Sequence, residues 1–267
     1  MTALRTAIVA FSLALLTANA ALAGPPLATD DAGTVDVGKV EVELNGSYTH
    51  DRETAFGVTT KCSRADAELK VSTGLYKNLG VSLAIPYNIN ERVKEDGQPV
   101  SREDGFGDMT LEIKYAFAEL SGISFAIKPA IIMPSGEYKN GLSEGRWQFD
   151  TTLIATKEFA DGTYALHANL GYGHHSYRDS AVRDTTRSDL WSGSIAGEAE
   201  VAKGLIAVAE LGLATTADKS TAQLSACATT GARYEINDFL DINAGIKLGL
   251  TTPEDDVSIL YGIVLKF

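Results

Sequence analysis

From Lys39 to Phe267 the chain alternates apolar and polar side chains, and this sustained period of two constrains the fold more than any other feature. Successive side chains of a strand point to opposite faces, so a strand with one apolar face reads this way. Val40, Val42, Leu44, Gly46 and Tyr48 alternate with Glu41, Glu43, Asn45 and Ser47; Met109, Leu111, Ile113, Tyr115 and Phe117 alternate with Thr110, Glu112, Lys114 and Ala116. The pattern recurs through Ala67–Leu75, Val81–Ile89, Ile123–Met133, Trp147–Phe159, Tyr164–His174, Leu190–Val201, Leu205–Ala214, Gln223–Glu235, Leu240–Leu250 and Val257–Phe267. It predicts about twelve strands of roughly ten residues, the length with which a tilted strand crosses a bilayer.

The connections alternate as well. Short ones fall at Lys77–Gly80, Glu119–Gly122, Ala160–Gly162, Ala202–Gly204 and Asn237-Asp238; longer polar ones fall at Arg52–Cys62, Glu91–Gly107, Pro134–Gly145, Ser176–Arg187, Thr216–Ala222 and Thr251–Asp256. Short turns on one side and long loops on the other describe an outer-membrane barrel, whereas a soluble sandwich has no reason to sort its loops. Aromatics gather at both ends of the strands, Tyr76, Phe117, Phe159, Tyr164, Tyr234 and Phe239 near the short turns and Tyr48, Tyr87, Trp147, Tyr172 and Trp191 near the long loops. Two such belts match the two membrane–water interfaces. The expected fold is all-β, an up-and-down antiparallel transmembrane β-barrel of about 12 strands with short periplasmic turns and longer extracellular loops. The sequence ends inside a strand, with Tyr261, Ile263, Leu265 and Phe267 at every second position. This pattern is similar to the signal read by the outer-membrane assembly machinery.

Composition removes other classes. Apolar residues make up 45% and charged residues 22%, too apolar for a disordered chain. The net charge of −12 argues against a nucleic-acid partner, which needs a basic surface. Two cysteines exclude a disulfide scaffold; Cys62 at a strand end and Cys227 mid-strand, on strands that are not neighbours, read as free thiols. Residues 1–23 read as a signal peptide: one cation, Arg5, then the apolar run Ala7–Leu16, then Ala21-Leu22-Ala23 before Gly24. The run is shorter than the roughly 20 residues that a transmembrane helix needs. Residues 24–38 are polar and precede the first strand, either as a periplasmic tail or as a plug folded into the lumen. Residues 39–267 form the barrel. The chain belongs in the outer membrane of a Gram-negative bacterium.

Several segments, in order, resemble the "MetA-pathway of phenol degradation" family of outer-membrane proteins. They are Pro26-Leu27-Ala28-Thr29-Asp30-Asp31-Ala32-Gly33-Thr34-Val35, then Ile85-Pro86-Tyr87, Asp104-Gly105-Phe106-Gly107-Asp108, Leu111–Phe117, Met133-Pro134-Ser135-Gly136 and His167–Tyr172. The resemblance implies a barrel that moves small, often aromatic or hydrophobic, molecules across the outer membrane. The alternative is a closed structural or interaction barrel that acts through its extracellular loops.

By parity the polar face lines the lumen. It carries the acids Glu41, Glu43, Asp66, Glu68, Glu112, Asp150, Glu158, Glu198, Glu200, Glu210 and Asp241 and the bases Lys70, Lys114, Lys128, Arg233, Lys247 and Lys266. Charges enclosed in a narrow barrel are expected to pair. Glu68 has Lys70 and Glu112 has Lys114 two positions away, so Glu41, Glu43, Glu198 and Glu200 are the expected surplus, which would favour cations. His174-His175-Ser176 lacks the Asn-Gly continuation of outer-membrane lipases, and the acidic loop Glu91–Asp108 lacks EF-hand spacing. No catalytic residue, metal or cofactor is expected. The expected partners are outer-membrane lipids, lipopolysaccharide, the assembly machinery and a small-molecule solute.

Overall fold

The computed structural model describes residues 25–55, 57–160 and 162–267. The leader expected over residues 1–23 lies outside them. Among the described residues the strands are β1 (Val40–Ala55), β2 (Val58–Tyr76), β3 (Leu79–Glu95), β4 (Gln98–Phe106), β5 (Met109–Leu120), β6 (Ile123–Met133), β7 (Gln148–Phe159), β8 (Tyr164–His174), β9 (Asp189–Ala202), β10 (Leu205–Thr215), β11 (Leu224–Asn237), β12 (Leu240–Gly249) and β13 (Val257–Lys266). A six-residue helix, α1 (Ser180–Thr185), sits in an outer loop, capped by the Asp179 carboxylate.

Neighbouring strands pair antiparallel, and β1 returns to β13 with Glu41 opposite Lys266 and His50 opposite Val257. The sheet therefore closes and has no open edge. In lipid this matters, because an unpaired backbone group costs several kcal/mol there. Twelve strands make the wall, and β4 is the additional one. β3 pairs with β5 over Leu79–Ala84 and with β4 over Tyr87–Glu95, so β4 and β5 act as one long strand broken at Gly107-Asp108. The Gly107 N–H still bonds to the Pro86 carbonyl at 3.0 Å, which keeps the break on the ladder.

Two expected loops are strands instead. The stretches Arg52–Cys62 and Glu91–Gly107 are hairpin tips, paired out to Ala55 opposite Val58 and Glu95 opposite Gln98. The turn chemistry explains this. Asp96 and Gly97 have φ of 45° and 83°, and Gly57 also has φ of 83°. Two-residue turns with positive φ match strand twist and let pairing continue to the tip. As a result β2 has 19 residues and β3 has 17, longer than a bilayer crossing needs. The other outer connections are long, and the inner ones are tight.

Exposure settles which face is which. Leu44, Leu111, Leu153 and Ile195 are exposed, whereas Glu43, Glu112 and Lys128 are 6%, 6% and 2% exposed. A soluble core would reverse these, so the apolar face is the outer one and meets lipid. Exposed Tyr48, Trp147, Tyr172 and Trp191 ring the outer end, and Tyr76, Phe117, Phe159, Tyr164, Tyr234 and Phe239 ring the inner end.

Candidate functional site

The candidate site is the barrel interior together with residues 25–32, which pack against inward-facing residues of the wall. Pro25, Pro26, Leu27, Thr29, Asp30 and Ala32 are all buried, although no strand or helix includes them. Their partners come from nearly every side of the wall. Leu27, 1% exposed, packs on Ala196 of β9 and Val208 of β10, with Ile206 beside them. Pro26 lies over Gly245, where a Cβ would stand 2.9 Å from the proline ring. Ala32 packs on Ala126 of β6 and Ile154 of β7. Its N–H bonds to Thr156 Oγ1 at 2.9 Å. The Thr29 N–H donates to Glu210 Oε2 at 2.5 Å, and its hydroxyl donates to Ser194 at 2.8 Å. The segment leaves past Gly74 of β2, where the Gly38 N–H bonds to the Gly74 carbonyl at 3.2 Å.

Asp30 is the polar centre. Its two carboxylate oxygens take Lys114 Nζ of β5 at 2.7 Å and Lys128 Nζ of β6 at 2.8 Å. Lys128 also reaches Glu112 at 3.5 Å, and Glu112 takes Lys70 of β2 at 3.1 Å. With its amide oriented to satisfy both partners, Asn169 of β8 donates to the Asp30 carbonyl at 2.9 Å and accepts from its N–H at 2.6 Å. One aspartate thus joins three strands by ion pairs and hydrogen bonds. These groups are desolvated, so the pairing is what makes the burial tolerable.

The remaining expected positions divide. Glu198 is not surplus: Arg233 reaches it from β11 at 3.2 Å. Lys266 pairs with Asp241 at 2.5 Å, and Lys247 pairs with Glu254 of an outer loop. Asp150 meets His175 at 2.9 Å. Glu43 accepts from the Asn45 amide at 3.2 Å. Glu41 and Glu68 are half-buried. Glu200 is exposed and accepts from the Gly204 N–H at 3.0 Å in the turn after β9. The expected pairing of Glu112 with Lys114 along one strand is not formed: Glu112 takes Lys128 of the adjacent β6 and Lys70 of β2 across β3, and Lys114 takes Asp30 of the internal segment.

Sequence reasoning missed Asp30 as the hub. It also missed Arg64 of β2, which holds Asp66 at 2.9 Å and Asp255 at 3.3 Å near the outer rim. The buried His167 bonds to Thr156 at 3.0 Å. Cys62 is buried with its Sγ 3.9 Å from Glu91, Cys227 is half-buried, and both are free thiols. Among the described residues no group of three His, Cys, Asp or Glu side chains could hold a metal ion.

The outer loops are laced together. Asp108 accepts from the Gly136 N–H at 2.9 Å and the Ser143 hydroxyl at 3.0 Å, and Arg187 donates to the carbonyls of Thr216 and Thr221 at 3.0 and 2.7 Å. Burial, with the Asp108 carboxylate close by, pushes the Glu144 carboxyl up to about 7.

A closed twelve-stranded barrel with an apolar belt and a polar, partly filled interior is an outer-membrane protein with the fold of channels and porins. The model of the family described as "Putative MetA-pathway of phenol degradation" matches residues 26–267, and the chain belongs to that family. No curated protein matches the sequence. Among solved structures, the COG4313 outer membrane channel from Pseudomonas putida F1 is similar with a TM-score of 0.73 at 15% identity, over 89% of this chain and 98% of that one. The NanC porin is similar with a TM-score of 0.56 at 12% identity, over 85% of this chain and 100% of that one. The translocator domain of the autotransporter NalP from Neisseria meningitidis has a TM-score of 0.51 at 12% identity, over 87% of this chain and 90% of that one.

Proposed function

We propose that this barrel passes small solutes across the outer membrane and that residues 25–38 act as a plug which must shift for them to pass. The observation that carries the reading is Asp30 held by Lys114 and Lys128 inside the barrel. A purely structural barrel could fill its interior with side chains from the wall. A separate segment, held by one ion-paired residue, a few hydrogen bonds and apolar contacts and not by strand pairing over residues 25–36, can move as a unit without opening the wall. The family's link to phenol degradation points to aromatic compounds as the solute class, and the apolar contacts of Leu27 and Ala32 offer a surface for such a solute once the segment moves. Glu41, Glu43, Glu68 and Glu200 would give the path a cation preference by Coulombic attraction, with the Lys114 and Lys128 ammoniums that plug movement unpairs acting against it.

A second reading, a closed barrel acting through its loops, draws on the loop lacing around Asp108 and Arg187. Planar-bilayer recordings separate the two. The channel reading expects small or rare conductance from the wild type and larger, cation-preferring conductance after deletion of residues 25–36. Silence from both would overturn it and favour the closed barrel. For assembly, we read Tyr261, Ile263, Leu265 and Phe267 as the segment that the insertion machinery binds.

A further inference from the structure

Above Tyr48, the hairpins β1–β2 and β3–β4 sort their charge by face. Asp51, Glu53, Glu91 and Glu95 occupy inward positions and are buried or half-buried, whereas Arg52, Lys61, Arg92 and Lys94 point outward and are all exposed. Register brings the cations together. Arg52 stands directly opposite Lys61, and Lys61 stands directly opposite Lys94, which makes a row of three across adjacent strands. Arg92 lies in the next row, opposite Ser63. Directly opposed residues of an antiparallel pair have Cβ atoms about 5 Å apart, and like charges placed so are destabilising.

Among the described residues, none of the four cations has a carboxylate within ion-pair distance, and Arg92 bonds to the neutral Asn90 amide, at 3.2 Å. Acids are not scarce in a chain of net charge −12, yet beside this row Asp51, Glu53, Glu91 and Glu95 occupy the opposite face, and the exposed Asp104 stands lower on β4. An external anion is therefore the missing partner. Its depth follows from strand geometry. Arg52 is four residues beyond Tyr48, about 13 Å along the strand. At a tilt of about 40° this places the row about 10 Å above the aromatic belt, where outer-leaflet headgroups lie.

We propose that Arg52, Lys61, Arg92 and Lys94 form a docking surface for the phosphates of lipid A, the phosphorylated glycolipid anchor of lipopolysaccharide. The row of three is about 10 Å across, two strand spacings, and suits a phosphorylated sugar seated against the wall. The surface depends on the barrel's place in the outer membrane and not on any solute it carries.

The test uses the full folded chain in detergent and measures binding of fluorescent bisphosphorylated lipid A, with dephosphorylated lipid A and phosphatidylglycerol as competitors. The expected result is preference for the bisphosphorylated form by about tenfold or more. The variant R52Q/K61Q/R92Q/K94Q should lose more than about a hundredfold, from about fivefold per cation. Heat-modifiable migration should be retained in the variant, and K77Q/K203Q, two exposed turn cations at the other rim, should bind like wild type. If the fourfold variant fails to fold, Lys61→Gln alone, at the centre of the row, should still cost about fivefold. Unchanged binding in a folded variant would overturn the proposal. So would equal displacement by phosphatidylglycerol, which would make the surface a generic anion collector.

Discussion

The two ends of the internal segment are held by different physics. Leu27 and Pro26 lie on small and apolar residues of β9, β10 and β12, where the only complement needed is shape. Asp30, three residues on, is held by charge from β5 and β6. The apolar seat tolerates many occupants and loses little specificity when one changes. The ionic seat tolerates one arrangement, because without Asp30 Lys114 is left charged and largely desolvated and Lys128 keeps only Glu112 at 3.5 Å. A plug that must sit in one register and still be displaceable is well served by this division. The lysines set its position, and the apolar contact adds non-directional affinity that a hydrophobic solute could replace.

The largest expected effect is at the ionic seat. Asp30→Asn removes the carboxylate from two lysines and should weaken docking of residues 25–38 by about 3–5 kcal/mol. Hydrogen exchange across the segment should rise sharply and channel activity should increase. Wild-type protection in this variant would erase the contrast between the two seats. The strand that supplies Lys114 offers the next test. Leu111→Arg places a cation against lipid and should cost the barrel about 2–4 kcal/mol, whereas Thr110→Arg on the inner face should cost much less in refolding titrations. Equal costs would mean that the ionic seat has been assigned to the wrong face. At the apolar seat, Leu27→Ala should weaken docking by about 2–3 kcal/mol, the low end for a buried leucine, because the segment can settle into the space. A loss larger than that of Asp30→Asn would invert the comparison.

The smallest effect lies in the outer loops, where charged side chains are held by neutral hydrogen-bonding groups. Glu144 is protonated more readily in the folded loop than free in water, with its carboxyl raised from 4.5 to about 7. Between those values the folded loop binds the extra proton, so its packing is strongest below the free-carboxyl value and weakens as pH rises through about 7. After discounting for solvent near the surface, about 1–2 kcal/mol is at stake. Hydrogen-exchange protection factors over residues 134–147, taken relative to the intrinsic rate at each pH, should therefore be lower at pH 8 than at pH 5.5, and Glu144→Gln should flatten the difference. Equal protection factors at both pH values would show the group to be solvated.

Much of the barrel was readable from the alternation itself. The outward set Leu44, Leu111 and Leu153 and the inward set Glu43, Glu112 and Lys128 follow from parity alone, because a strand offers a side chain only two directions. The two hairpin tips were misread as loops because Arg52–Cys62 and Glu91–Gly107 are polar on both faces. Beyond the bilayer neither face meets an apolar medium, so alternation of hydrophobicity disappears while pairing continues. The Asp96-Gly97 dipeptide was a usable signal for a two-residue turn. The interior was less legible. Glu198 was expected to be spare and is held by Arg233. The two are 35 positions apart and on strands separated by β10, so no local spacing records the contact.

The sequence by itself determined the class of fold, the face each strand turns to lipid and the pool of charges enclosed within. These are local properties, set by the two-residue repeat of a strand and by the requirement that every backbone group in lipid be paired. Only the tertiary structure decided which charges meet. Closing twelve strands brings β2, β5, β6 and β8 around one point, and Asp30 arrives there from outside the sheet altogether. A residue in a segment without secondary structure has no periodicity to betray its direction. Its role as the hub followed from distances across a closed lumen, which exist only once the barrel has formed.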